Sequence, residues 1–167
     1  PPHIAFEETR KQARKRGARV SGSELVGLIP LESMVTSGKY YLTKQKRSTG
    51  IPIKDIIHIA IKSMGLDDLA PFDPNEKIIE YRIGKQSEEL AAMTLCNFSD
   101  ELSSDSPAPG GGSVSALAGA LGASLSAMVA NLTFGKKKWE PLFKQMSKLA
   151  DDSQKLKDEL IQLIDAD

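Results

Sequence analysis

An α/β layered portion followed by an all-α helical bundle is the fold class this sequence predicts. Three observations predict it. Residues 1–86 mix helix-length amphipathic stretches with short β-like runs, whereas everything after them has helical spacing alone. Between the two lies "GKQS", Gly84 to Ser87, a polar, glycine-led junction.

The elements follow in order. Ile4 to Arg16 has helical spacing, and Gly17 is its C-terminal stop. "ARVSGSELVGLI", Ala18 to Ile29, reads as a strand with Val20, Val26 and Leu28 on one face. Pro30 suits the first turn of a helix over Leu31 to Leu42, and "STG" at Ser48 to Gly50 is loop. Pro52 opens a further helix whose buried stripe is Ile53, Ile56, Ile57, Ala60, Ile61 and Met64, ended by Gly65. "APFDPNEKIIEYRI" is a turn leading into a short strand from Lys77 to Ile83. In the second half, helices are expected over Glu88 to Ser103 (Leu95, Phe98 and Leu102 on one side), Ser113 to Thr133 (ended by Gly135), and Trp139 to the C-terminus. Neither half buries enough by itself to look complete.

Composition bounds the function. The chain has 167 residues, 40% of them hydrophobic, enough for a core. No apolar run is read as membrane-spanning, and no secretory signal opens the sequence. Pro1 in place of Met points to a processed or excised piece. Cys96 is the one cysteine, so no internal disulfide is possible and a reducing cytoplasm fits. Two histidines and one cysteine argue against a His/Cys metal site, and no metal is expected. Net charge is zero, yet residues 1–54 hold eleven Lys/Arg against four Asp/Glu, while the tail from Asp151 is acidic. The basic stretch "RKQARKRGAR" reads first as a solvated helix face and second as an attraction for a polyanion. No RNP-like, zinc-finger or helix-turn-helix pattern supports nucleic acid.

The most distinctive stretch is "SPAPGGGSVSALAGALGAS", Ser106 to Ser124. Pro107 and Pro109 stiffen the approach, Gly110 to Gly112 permit unusual backbone angles, and Ser113 stands where an N-cap belongs. Such a turn at a helix start can bind an anion, or it can be a capped turn whose glycines only allow close packing. Chemistry alone leaves these two readings level, since the loop is neither a P-loop nor GxGxxG. In the helix that follows, Val114, Leu117, Ala118, Leu121, Leu125, Met128, Val129 and Leu132 form a large apolar stripe. Ser115, Gly119, Gly122, Ser126 and Ala130 form a small one, so a central helix packed on two sides is expected rather than a flexible linker.

Lys136 to Lys138 complement the negative end of that helix, or alternatively meet an anionic ligand. The last helix repeats Leu142, Met146, Leu149, Ser153, Leu156, Leu160, Leu163 and Asp167 on one seam. Ser153 is read as merely tolerated there. Asp167 places a carboxylate on the seam, which is costly unless paired or used in chemistry, with fraying of the chain end as the competing reading. Asp165 points elsewhere and reads as solvated. Glu24 reads as exposed at a strand end, His58 as surface, and His3 as part of a frayed start. Neither histidine is assigned to catalysis.

Four segments together resemble a known family: "GARVSGSELVGLIPLESM", "FDPNEKIIEY", "SDELSSDSPAPGGGSVSALAGALGASLSAMVANLTFGKKK" and the closing "LIDAD". The sequence closely resembles the bifunctional formiminotransferase-cyclodeaminases over nearly its whole length. Methenyltetrahydrofolate cyclohydrolases share the PAPGGGSV segment and its small-residue helix. The resemblance implies that residues 1–86 are the later part of a ferredoxin-like-type layered α/β transferase subdomain. It implies that 87–97 are a linker merging into the first cyclodeaminase helix, and 98–167 the start of the helical cyclodeaminase domain.

Two linked reactions of one-carbon folate metabolism, in histidine degradation, are implied. One moves a formimino group between N-formimino-L-glutamate and tetrahydrofolate. The other closes 5-formiminotetrahydrofolate to 5,10-methenyltetrahydrofolate with release of ammonia. The implied substrates are formiminoglutamate and tetrahydrofolate, the latter including its polyglutamylated form. A homo-oligomer in the cytoplasm is implied, with Golgi association in vertebrate relatives. Asp167, then Asp165, are the candidate catalytic carboxylates. Pro109, Gly110, Gly111, Gly112 and Ser113 are the candidate folate-binding loop, with Lys136, Lys137 and Lys138 for the glutamate tail. The family's general-base histidine and later helices are expected outside this chain, which is expected to be inactive alone. A non-catalytic assembly or hinge segment is the alternative from a different class, and a cyclohydrolase-like folate-binding domain is another.

Overall fold

The computed structural model describes residues 1–83 and 89–166. The chain divides into two compact units, Pro1–Gly84 and Lys85–Asp167. The "GKQS" junction, the start of the expected helix at Glu88, and Asp167 lie outside the described residues.

Unit 1 contains α1 (Pro2–Lys15), α2 (Leu31–Lys44), α3 (Ile53–Met64), α4 (Pro74–Lys77) and α5 (Ile79–Ile83). Its core is built from large side chains: Ile29, Met34, Tyr41, Ile57, Ile61, Met64 and Ile78, with Ala60 between them. The paired helices α2 and α3 supply most of it. Gly38 makes their close crossing possible, because a Cβ there would collide with the Ile56 carbonyl oxygen. α3 ends as its sequence demands, with Gly65 in the left-handed region at φ 61°. The expected stripe on α3 is buried except at its first position, Ile53.

The expected α/β layering is not there: among the described residues unit 1 is helical and has no strand. Ala18 to Ile29 runs extended but finds no neighbouring strand. Gly27 sits at φ 89°, and Val26 is 88% exposed. In place of a ladder, Ser23 fastens the segment to the end of α3, its N–H donating to the Gly65 carbonyl at 3.0 Å and its hydroxyl to Met64 at 2.6 Å. The segment meets "KIIEY" only in an isolated parallel bridge between Ile29 and Ile78. Lys77 to Ile83 is not a strand either. Asp73 caps α4 by accepting from the Asn75 N–H at 2.8 Å, Ile78 drops into the core, and the chain turns helical again. Glu80 on α5 then accepts the Leu31 N–H at 2.7 Å, completing the start of α2, where Pro30 has no capping side chain.

His3 also differs from expectation. It lies inside α1, is buried, stacks on Tyr40 at 4.6 Å and contacts the Ser37 hydroxyl at 3.0 Å through Nδ1. His58 and Glu24 are exposed.

Unit 2 contains a 3-10 turn (Leu90–Ala92), α6 (Leu95–Leu102), α7 (Gly111–Thr133), a second 3-10 turn (Lys137–Leu142) and α8 (Phe143–Leu163). The single helix expected over Glu88 to Ser103 is broken, because Thr94 is extended and restarts it by accepting the Asn97 N–H at 3.2 Å. α7 and α8 form an antiparallel pair. Ser113 at the start of α7 meets Ile164 just beyond α8, and Phe134 stacks on Phe143 at the other end, 4.9 Å apart.

The contact surface of α7 is neither of the expected stripes, since Ser115, Gly122 and Ser126 of the small one are exposed as well, and the helix is not packed on two sides. Ser113, Ala116, Ala120, Ala123, Ala127 and Ala130 are its buried residues, while Leu121, Leu125, Met128, Val129 and Leu132 are exposed. Alanine faces let two backbones approach, and Gly119 sits against Leu160, whose Cδ1 would be 3.1 Å from an added Cβ. On α8, Ser153 of the expected seam is buried together with Ala150, while Leu149, Leu156 and Leu163 of that seam are half exposed. α7 also departs from the expectation about membrane-spanning length. It carries no charge over 23 residues, and by length and composition alone it is sufficient to cross a membrane.

Candidate functional site

The proline-glycine stretch forms the entrance to α7. Ala108–Pro109 is a cis peptide, and Pro109 is buried. Ser106 closes the approach, its hydroxyl donating to the Ala108 carbonyl at 2.8 Å. The N-cap is Gly110, extended at φ −98°, ψ −170°, and Gly111 and Gly112 are already helical. The glycines therefore serve absence of side chain rather than unusual torsion angles. A Cβ at Gly111 would meet nothing within 4 Å. The first N–H groups of α7 have no intrahelical acceptor, as at every helix start, and no side chain from 110–112 covers them.

Ser113 is three residues inside the helix rather than at its cap. It is 1% exposed, and its hydroxyl donates to the Ile164 carbonyl at 2.8 Å. It thus satisfies a carbonyl at the end of α8 and locks the two helix ends together. Asp165 follows directly. It is exposed and accepts the Ala91 N–H at 3.3 Å, which ties the Leu90–Ala92 turn to the same end of the pair.

The fold therefore brings Gly110 to Ser113 and Asp165 to one end of unit 2. A shallow groove of about 410 Å³ opens beside them, lined by Gly112, Ser115, Ala116, Leu160, Leu163 and Ala166. Its walls are small or aliphatic, and Leu160 and Leu163, which the sequence marks as seam positions of the last helix, are not marked there as part of a site. The available signal was the spacing of Leu160 and Ile164, one turn apart, which sets a groove wall and a buried contact on neighbouring faces.

Lys136, Lys137 and Lys138 are not brought to that end. All three are exposed beyond the C-terminus of α7, and a helix of 23 residues is about 34 Å long. Lys138 lies over the Trp139 ring, 5.0 Å from its centroid. Asp167 lies outside the described residues.

Comparisons with known proteins fit both units. The formiminotransferase domain family matches residues 1–84, and the formiminotransferase-cyclodeaminase family matches residues 94–167. A formimidoyltransferase-cyclodeaminase of Mus musculus is 38% identical over 167 residues, covering 99% of this chain and 31% of the relative. Its counterpart in Dictyostelium discoideum is 43% identical over 150 residues, covering 88% of this chain and 28% of the relative. A methenyltetrahydrofolate cyclohydrolase of Methylorubrum extorquens is 41% identical over 71 residues, 42% of this chain and 34% of the relative. The chain spans about a third of the length of the curated relatives it matches. With one match across unit 1 and another across most of unit 2, the chain belongs to the formiminotransferase-cyclodeaminase family.

Proposed function

We propose that this chain is a segment of a bifunctional folate enzyme of histidine degradation. In that reading unit 1 is part of the domain that moves a formimino group between N-formimino-L-glutamate and tetrahydrofolate. Unit 2 is part of the domain that converts 5-formiminotetrahydrofolate to 5,10-methenyltetrahydrofolate and ammonia. The observation that carries the reading is the paired family match, transferase over residues 1–84 and cyclodeaminase over 94–167.

The chemistry asked of unit 2 is modest. An amine nitrogen of the folate outside its pterin ring attacks the formimino carbon, and a proton must reach the former imino nitrogen so that it leaves as ammonia. The side-chain-free start of α7 offers N–H groups to an electron-rich part of the substrate, and the adjoining groove of small residues suits a flat ring. Asp165 is the carboxylate at that end and is proposed as the proton donor or acceptor, with Asp167 the next candidate. Lys136 to Lys138 would meet the glutamate tail only if it extends along α7. The isolated chain is proposed to lack turnover, because it holds about a third of the relatives' length.

Full-length parent protein, supplied with formiminoglutamate and tetrahydrofolate, tests the reading. The expected outcome is stoichiometric methenyltetrahydrofolate and ammonia. Transfer without ammonia release, or neither, contradicts it.

A second reading rests on a different observation, the row Leu121, Leu125, Met128, Val129 and Leu132 left exposed along α7. In this reading the chain serves cytoplasmic homo-oligomer assembly, and α7 is the contact. Light scattering of the parent with Leu125→Lys checks it, the expected result being a smaller particle.

A further inference from the structure

Unit 1 contains a basic cleft that the folate reading does not assign. Phe6, Arg10 and Arg14 of α1 form one wall, Arg19 and Ser21 of the extended segment another, and Lys62, Ser63, Gly65 and Asp68 the third. The cavity is about 530 Å³, within the range of small-molecule sites. Arg10 and Arg14 are one helical turn apart, so α1 presents two guanidinium groups to the same space.

The charges in this cleft are not balanced from within. Arg10 pairs with Glu7 at 3.3 Å, but the same carboxylate also takes Lys44 at 2.5 Å. Lys62 pairs with Asp67 at 2.5 Å. Arg14 and Arg19 make no ion pair among the described residues, and the remaining acid on the wall is Asp68. Bringing several cations to one concavity costs repulsion that a bound anion relieves. Guanidinium forks match the paired oxygens of phosphate or carboxylate, and the Ser21 and Ser63 hydroxyls add neutral donors. The bland alternative, favourable charges in the last turn of α1, accounts for Arg14 and Lys15 but not for Arg19, which lies outside the helix.

We infer that the cleft formed by Arg10, Arg14, Arg19 and Lys62 binds a small anion carrying two or more phosphate or carboxylate groups. Phe6, the aromatic on the cleft wall, packs against the core and under the Arg10 guanidinium, so the cleft offers no row of stacking rings, which favours a compact ligand over a nucleic-acid strand.

The test uses the 167-residue chain, titrated by calorimetry with inorganic pyrophosphate and, separately, with citrate. Saturable binding below about 1 mM is expected for at least one of them. Pyrophosphate alone identifies phosphate as the group recognised, and citrate alone identifies carboxylate. Arg14→Gln with Arg19→Gln is expected to weaken binding roughly ten-fold, while Asp68→Asn tightens it several-fold by removing the opposing charge. Arg19→Gln alone gives the same direction should the double variant unfold. No saturation with either anion, variants that bind as tightly as the parent sequence, or tighter binding of a single-stranded oligonucleotide would each overturn the proposal.

Discussion

The two units bury apolar surface in opposite ways. Unit 1 hides its large side chains, and Met34, Leu42, Met64 and Ile78 are fully buried. Unit 2 hides mainly alanine and serine, with Phe98 and Ile164 at one end, and leaves most leucines of α7 and α8 outside. The first gains stability from the area removed from water. The second gains close backbone approach between α7 and α8, at the cost of an exposed apolar row. Small residues also keep side chains off the start of α7 at Gly110 to Gly112, so the packing style of unit 2 and its candidate site share one cause.

Substitutions can break or sharpen this contrast. The largest effect is expected for Met64→Ala, about 2–5 kcal/mol of lost stability in unit 1, read from denaturant unfolding. Gly38→Ala comes next at about 1–3 kcal/mol, because the new methyl group meets the Ile56 carbonyl and α2 must lift from α3. In unit 2, Ser113→Ala is expected to cost about 1–2 kcal/mol by stranding the Ile164 carbonyl.

Glycines on α7 separate packing from propensity. Gly122 faces open space, so Gly122→Ala should stabilise unit 2 by about 0.5–1 kcal/mol. At Gly119 the added methyl meets the flexible end of Leu160, and the net change is expected to be smaller. If both alanines stabilise equally, α7 and α8 are not as close as described.

The smallest effect is a pH dependence confined to unit 1. Burial, the largest cause, holds His3 below its ordinary value, against an upward pull from Glu7. The unfolded chain therefore takes up a proton that folded His3 resists, and stability rises with pH through that interval. The loss sets in as pH falls below about 6.5. His3→Asn should flatten the curve, and an unchanged slope would show that other groups set it.

Helices were legible in the sequence because their signals are local. Pro52, the stripe from Ile56 to Met64, and Gly65 define α3 with no reference to the rest of the chain. Pairing is not local. Alternation at Val20, Val26 and Leu28 describes a strand only if a neighbour accepts its N–H groups, and Ser23 bonding to the end of α3 pre-empts that here. Which face of α7 turns inward was equally hidden. Size suggested the leucines, whereas contact with α8 selects the alanines. The candidate loop was found from Pro107 to Ser113, but its partners were not, since a carbonyl at Ile164 leaves no mark in side-chain chemistry. The length of α7 sets Lys136 to Lys138 apart from that loop, a separation that no local pattern shows.

The most direct measurement compares two variants of the full-length parent in two assays. Gly112→Val places three carbons beside the groove at the start of α7, and Gly38→Ala loosens α2 from α3 in unit 1. The division of labour proposed above predicts that Gly112→Val lowers ammonia release at least roughly ten-fold and leaves formimino transfer nearly intact. Gly38→Ala should do the reverse. Equal loss of both activities in both variants, or ammonia release unchanged by Gly112→Val, would contradict it.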